Sequence, residues 1–507
     1  MPTADDAYAE LVTRAKDVAL VQSCSAVLGW DQQTYMPKAG AALRGDQLAL
    51  LAAIGHEKAT DPRIGELLAV VETSPLVADP ESVPAANARE LRHAYDRATK
   101  IPKRLVEELA RVTTLAQQAW VSARAKNNFP EFRPHLEQVL AFKREEAQAV
   151  GYKGHPYDAL LDEYEPGATA EEIRQVFTDL SRDLVPLIRA AADSGKKPRA
   201  GVLDRELSVD RQRWFAESAA AAIGFDFGAG RLDTTAHPFC SAFGPGDCRL
   251  TTRYNPRFFN EAFFGVLHET GHGMYEQGLP ADHFGTPVGA YCSLGIHESQ
   301  SRLWENQVGR GRPFWQHFFP RLNQAFPGTF DGVTPDEFYF AINEVKPSYI
   351  RVESDEATYN LHIILRFELE LDLVAGNLVP ADLPGAWNER FTKLLGMTPR
   401  TDAEGCLQDI HWSFGGIGYF PTYTLGNLYA AQFMDAARRE LGETALEESF
   451  RAGDFSPLKD WLRRNVHQQG RRFRAGELCR RATHSPLSPN PFTRYLREKL
   501  SAIYTVC

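Results

Sequence analysis

The sequence predicts a mainly α-helical protein with one small β element, and three observations carry that reading. Apolar residues recur at three- and four-residue steps over most of the 507 residues, the spacing of a helix with one buried face. A single segment, between Phe225 and Asn255, breaks that rhythm with period-two alternation around a turn. No repeat of fixed period and no low-complexity linker interrupts the chain.

Taken in order, stripes run through Asp46 to Val71, Arg89 to Lys126 with a break near Pro102, and Glu131 to Ala149. The proline- and glutamate-containing patch from Ser74 to Pro84 reads as a long loop. At Thr169, the Thr-Ala-Glu-Glu start is a capping box that places Glu172 to bond back to the cap residue. Ile173, Val176, Phe177, Leu180 and Leu184 then form one apolar stripe. Gly244-Pro245-Gly246-Asp247 is a turn between two short runs, Phe239 to Phe243 and Cys248 to Tyr254. Alternation puts Asp247, Arg249, Thr251 and Arg253 on one face of the second run, and Cys248, Leu250, Thr252 and Tyr254 on the other. This hairpin is a candidate rim of a cleft, with an ordinary solvated edge as its competitor. Further helices are expected from Pro256 to Gln277, Ser293 to Val308 and Glu353 to Ala375. The arginines near the C-terminus (Arg463, Arg464, Arg471, Arg472, Arg474, Arg480, Arg481) read as a solvated surface paired with acidic groups elsewhere, and no function is assigned to them.

Length alone suggests about three domains. The net charge of −10, from 56 Lys plus Arg against 66 Asp plus Glu, argues against nucleic-acid binding, which needs a dominant basic face. No stretch approaches the ~18 apolar residues of a membrane span, and the N-terminus lacks a secretory pattern. The seven cysteines (Cys24, Cys240, Cys248, Cys292, Cys406, Cys479, Cys507) contain no C-x-x-C pair. They read as reduced thiols of a cytoplasmic protein.

Chemistry concentrates in His268-Glu269-Thr270-Gly271-His272, an H-E-x-x-H pattern. Residues four apart stand one turn above each other on a helix, so both imidazoles can reach one Zn2+ while the glutamate between them faces the water to be activated. Asn255 is a plausible cap for this helix, Pro256 fits its first position, and Gly278 with Pro280 makes a stop. Gly271 and Gly273 make sense if another backbone packs closely. The competing reading is two helix histidines bonded to carboxylates without a metal. A third ligand is required. A metzincin would carry glycine at 275 and histidine at 278, but this chain has Tyr275 and Gly278. His283 is not excluded on spacing. Glu298, in His297-Glu298-Ser299-Gln300 near the start of the next helix, is the better candidate, although taken alone it would be a surface acid.

These residues resemble the carboxypeptidase Taq family of zinc metallocarboxypeptidases. The resemblance rests on an ordered set of motifs: His237-Pro238-Phe239; Asp247 to Thr251; His268 to His272; His297 to Gln300; Ile350-Arg351-Val352-Glu353-Ser354-Asp355; and Gly405-Cys406-Leu407-Gln408-Asp409-Ile410-His411-Trp412. Leu28-Gly29-Trp30-Asp31, Tyr35-Met36-Pro37 and the arginine-rich tail also match, so the likeness spans essentially the whole chain.

The resemblance implies a helical fold like that of neurolysin and angiotensin-converting enzyme, with a deep central groove and a small β-hairpin or sheet at the cleft. It replaces the three-domain expectation with one catalytic domain over residues 1–507, two lobes around one cleft. It implies removal of single residues from free peptide C-termini with broad specificity, by a homodimer. On this reading His268, His272 and Glu298 hold Zn2+, with Co2+ or Mn2+ also suited to that donor set. Glu269 is the general base on metal-bound water. By analogy with the related architecture, His411 and Tyr423 are the oxyanion donors, with core packing as the alternative. Arg351 is expected to read the substrate carboxylate through its planar fork, against an ordinary salt bridge to Glu353 or Asp355. Tyr419, His237 and Arg249 are expected to contact substrate or support the site, with Asp247 as an acceptor behind it. Two other readings are a zinc endopeptidase or dipeptidase, and a helical binding protein without catalysis.

Overall fold

The computed structural model describes residues 3–506, so Cys507 lies outside the described residues. Helix dominates, as the periodicity predicts, and the described residues form one three-stranded sheet. The Thr169 capping box is complete. Thr169 Oγ1 accepts from the Glu172 amide at 3.3 Å, and Glu172 Oε2 accepts from the Thr169 amide at 3.1 Å. Ile173, Phe177, Leu180 and Leu184 are buried along the Ala170–Asp193 helix. The stripe from Asp46 to Val71 is two helices, Ala41–Ala59 and Pro62–Glu72, because the Asp61 side chain accepts from the Arg63 amide and restarts the chain. The next break falls near Pro102 as expected, between Val83–Lys100 and Lys103–Lys126. No helix among the described residues is long and apolar enough to cross a membrane.

Contacts divide the chain into two units. One comprises residues 1–99, 198–342 and 433–486, the other residues 100–197, 343–432 and 487–507.

In the first unit, strands β1 (Gly230–Thr234), β2 (Cys240–Gly244) and β3 (Asp247–Thr252) lie in the order β1-β3-β2. The expected hairpin is β2 with β3, antiparallel and irregular between Ala242 and Gly244. β1, parallel to β3, has no counterpart in the sequence reading. Its five residues, Gly-Arg-Leu-Asp-Thr, carry one large apolar side chain, too little for alternation to register. Cys248, Leu250 and Thr252 are buried, and Leu250 Cδ2 packs beside Gly273 on the helix Phe259–Gly278. The Trp30 ring stacks under the Arg249 guanidinium at 4.3 Å, and Tyr35 Oη donates to Asp233 Oδ1 at 2.5 Å. The early Trp-Asp and Tyr-Met-Pro motifs therefore clasp this sheet.

The 259–278 helix starts three residues later than Pro256. Asn255 Oδ1 accepts from the Arg257 amide, which turns the chain before the helix instead of capping it. Phe259 and Phe263 stack at 4.9 Å and pack against Phe215, Trp315 and Phe338. Each aromatic pair adds about 0.5–1.5 kcal/mol beyond area burial, so this cluster anchors the turn that leads into His268. In the second unit, the expected helix from Glu353 begins only at Tyr359. Asp355 Oδ1 accepts from the amides of Ala357 and Thr358, holding residues 355–358 in a turn between a short 3-10 segment, Arg351–Glu353, and the helix Tyr359–Ala375.

Candidate active site

His268 and His272 lie one turn apart on the 259–278 helix. Glu298 lies on the helix Leu294–Arg302, whose start is capped by Ser293 Oγ accepting from the Ile296 amide at 3.1 Å. Glu298 Oε2 stands 3.6 Å from His268 Nε2 and 3.4 Å from His272 Nε2. Donors at ~2.0–2.2 Å from one tetrahedral ion stand roughly 3.3–3.6 Å apart, so both distances suit a shared ion, and all three atoms lie within 4.8 Å of one another. The group contains no other residue; His283 is in a 3-10 turn beyond the helix.

Close helix approach sets this geometry. A Cβ on Gly271 would sit 2.6 Å from Ser301 Cα and collide with the Gln300 carbonyl, so backbone meets backbone beside the site. Gly271→Ala is expected to force the two helices apart, costing about 1–3 kcal/mol of overpacking against a helix-propensity gain of at most about 1. Thermal unfolding and a metal titration check this: stability and affinity should both fall. A variant equal to wild type on both would mean the glycine does not set the helix spacing.

The surrounding charges orient each donor. Arg302 Nε donates to Glu298 Oε1 at 2.7 Å, leaving Oε2 toward the imidazoles. Against the upward pull of burial, Arg302 and His268 hold Glu298 well below the usual carboxylate range. His268 Nδ1 lies 2.9 Å from Glu305 Oε2, and burial opposed by Arg302 and that hydrogen bond leaves Glu305 at about 2. His272 Nδ1 lies 2.5 Å from His297 Nδ1, and His297 Nε2 lies 2.8 Å from Glu276 Oε1. Burial lowers His272 to about 3, so its ring is neutral with a lone pair to offer. Glu269 is buried and its Oε2 has no hydrogen-bond partner; burial pushes it up to about 7. An uncompensated buried carboxylate oxygen is costly, and a cation with its bound water would satisfy it.

On the sheet, Arg249 makes a two-pronged contact with Asp247 at 2.9 and 2.8 Å, and its guanidinium lies between the rings of Trp30 and Phe243. His237 is exposed in the β1–β2 connection.

The remaining expected residues lie in the second unit, where two motifs interlock. Arg351 Nε and Nη2 donate to Asp409 Oδ1 at 3.0 and 2.7 Å, its Nη1 donates to Tyr359 Oη at 2.9 Å, and its amide donates to Gln408 Oε1 at 2.8 Å. The salt-bridge partner is thus Asp409, not Glu353 or Asp355. Arg366 binds the other oxygen of Asp409 at 2.7 Å. His411 Nε2 lies 3.1 Å from Tyr423 Oη, with the Tyr419 ring 5.3 Å from the imidazole. Burial lowers His411 to about 3, so it is neutral. The loop that carries His411 is held by Glu370, whose carboxylate accepts from Tyr157 Oη, Trp412 Nε1 and the Gly418 amide. Gly418 has φ +95, and a Cβ there would sit 2.9 Å from the Leu160 backbone.

The profile of the carboxypeptidase Taq (M32) metallopeptidase family matches residues 10–500. The chain belongs to this family. It is 49% identical over 511 residues to thermostable carboxypeptidase 1 of Thermus thermophilus, covering 99% of this chain and 100% of that one. It is 38% identical to carboxypeptidase 1 of Bacillus subtilis, over 96% of this chain and 97% of the relative. The crystal structure of the M32 carboxypeptidase from Deinococcus radiodurans R1 superposes with a TM-score of 0.95 at 41% identity, covering 99% of this chain and 100% of that one. As a member of the M32 family the protein is a metallocarboxypeptidase, a hydrolase acting on peptide bonds.

The sequence reading assigned no role to Glu276, His297, Arg302 or Glu305. Spacing carried part of the signal. Glu276 follows His272 by four residues, and Glu305 follows Glu298 by seven, so each shares a helix face with a ligand candidate.

Proposed function

We propose that the M32 enzyme holds one Zn2+ through His268 Nε2, His272 Nε2 and Glu298 Oε2 and removes single residues from free peptide C-termini. The observation that supports this most directly is the convergence of those three atoms beside the unpartnered Glu269 oxygen. Co2+ or Mn2+ would suit the same donors. When bound, the ion supplies Lewis acidity and brings the pKa of water down to about 7.

Glu269 takes the proton of the attacking water on its unpartnered oxygen and delivers it to the leaving amine. Tyr423, hydrogen-bonded to the neutral His411, supplies an O–H toward the developing oxyanion. Arg351 reads the substrate carboxylate. Its guanidinium has five N–H donors, and the contacts to Asp409 and Tyr359 occupy three, so two remain for a carboxylate. Tyr419 contributes an aromatic wall for substrate. His237 and Arg249 line or brace the substrate path, with Asp247 supporting Arg249. We place the enzyme in the cytoplasm, a reading supported by the free cysteines, and as a homodimer, a reading supported by the family resemblance.

A peptide and its C-terminal amide, each incubated with and without chelator and followed by mass spectrometry, test this reading. Sequential loss of one C-terminal residue is expected from the acid. Chelation should stop it, and the amide should react about 100-fold more slowly, the loss of two charge-assisted hydrogen bonds. Equal rates for acid and amide would remove the role given to Arg351 and favour an endopeptidase.

A further inference from the structure

We infer that His297 and Glu276 are positioning residues that fix the proton on the outer nitrogen of His272 and thereby aim its Nε2 at the metal. This rests on the metal-site reading above. The two histidines of the H-E-x-x-H helix are held differently. His268 Nδ1 meets a carboxylate directly, Glu305 at 2.9 Å. His272 Nδ1 meets a second imidazole, and only that ring meets a carboxylate, Glu276 at 2.8 Å.

With one proton on each ring, donor and acceptor counting allows one arrangement. A carboxylate accepts only, so Glu276 takes a hydrogen bond from His297 Nε2–H. With its single proton on Nε2, the His297 ring presents a lone pair at Nδ1. His272 must place its proton on Nδ1 to meet that lone pair, which leaves Nε2 bare and turned toward Glu298 Oε2 at 3.4 Å. Ring rotation cannot undo this assignment cheaply. The His297 imidazole is boxed by Tyr275 and Tyr291, with ring centroids at 5.2 and 5.1 Å, and Tyr275 Oη accepts from the Cys292 amide at 3.0 Å. The box sets where His297 sits, and Glu276 sets which nitrogen carries its proton. Partners of this kind behind a metal ligand change affinity by about 10- to 100-fold when removed.

Zn2+ affinity measured by chelator competition on the purified full chain tests the inference, together with metal-free thermal unfolding. His297→Phe keeps a ring in the box and removes both nitrogens; its Zn2+ dissociation constant is expected to rise about 10- to 100-fold while the metal-free melting temperature stays within a few degrees. Glu276→Gln retains an oxygen that accepts from Nε2–H and is expected to stay within about threefold of wild type, whereas Glu276→Leu should approach the His297→Phe value. Long-range 1H–15N spectra of the ring nitrogens should show His297 protonated at Nε2. Wild-type affinity in His297→Phe, equal losses in the Gln and Leu variants, or a proton on His297 Nδ1 would each overturn the inference while leaving the metal site standing. Less than one equivalent of Zn2+ bound by wild type would overturn the metal-site reading itself.

Discussion

Glu269→Gln is expected to bind one equivalent of metal and to lose about 10³- to 10⁴-fold in kcat, within the range for removal of a positioned general base. At 1.36 kcal/mol per tenfold that is roughly 4–5.5 kcal/mol of transition-state stabilisation. The three atoms that converge on one point belong to His268, His272 and Glu298, so the metal should stay when Glu269 becomes an amide. Only the proton acceptor is lost. The pH profile gives a second readout with a defined sign. Burial raises Glu269 to about 7, and a protonated Glu269 cannot accept, so activity should rise with pH on the acid side. A bound cation favours the ionised form and moves that limb below 7. Residual activity of the glutamine variant should lack the limb. Atomic absorption for metal content and steady-state kinetics on a free peptide check both statements, and near-wild-type turnover in the variant would remove the general-base role.

Asp409→Asn is expected to be the most damaging single change in the second unit, at about 3–5 kcal/mol, the cost of leaving buried charges without their partner. Asp409 takes Arg351 on one oxygen and Arg366 on the other, and all three side chains are largely withdrawn from water. Against the upward pull of burial, the two guanidiniums hold Asp409 far below the usual aspartate range. Its folded value is depressed, so its contribution is complete above the unfolded value of about 3.9 and is lost as the pH falls through the folded one. Urea unfolding followed by tryptophan fluorescence should therefore show the full gap between wild type and variant at pH 7, and a closing gap below about pH 4. A gap under 1 kcal/mol at pH 7 would show that the arginines find other partners.

The helices and the H-E-x-x-H spacing could be read from sequence for the same reason: both follow from the 3.6-residue turn. His268, His272 and their intervening glutamate announce themselves by spacing, and the Thr169 capping box by its four-residue pattern. What escaped the reading depends on contacts between distant segments. Asp409 lies 58 residues from Arg351, and no periodicity links them; nearby Glu353 and Asp355 were the obvious partners. The Tyr359 helix start was misplaced because Asp355 spends its carboxylate on the Ala357 and Thr358 amides, a local bond that competes with helix. Strand β1 was invisible because its partner is β3, thirteen residues beyond a strand too short to carry a pattern. His297 carries no role legible in the sequence, since a histidine behind a histidine has no spacing signature.

One irregularity in the backbone has a geometric consequence for the site. After Arg302 the chain widens into a π-helical turn, Leu303–Val308, which holds one more residue than α geometry would. Glu305 sits inside that widened turn and reaches one nitrogen of His268, while Glu298, ahead of it, faces the other. A single imidazole is thus gripped across its width by two acids from one continuous stretch of chain. Trimming the stretch by one residue would swing Glu305 by about 100° around the axis and release half of that grip, so chain length here is as much a part of the chemistry as side-chain identity.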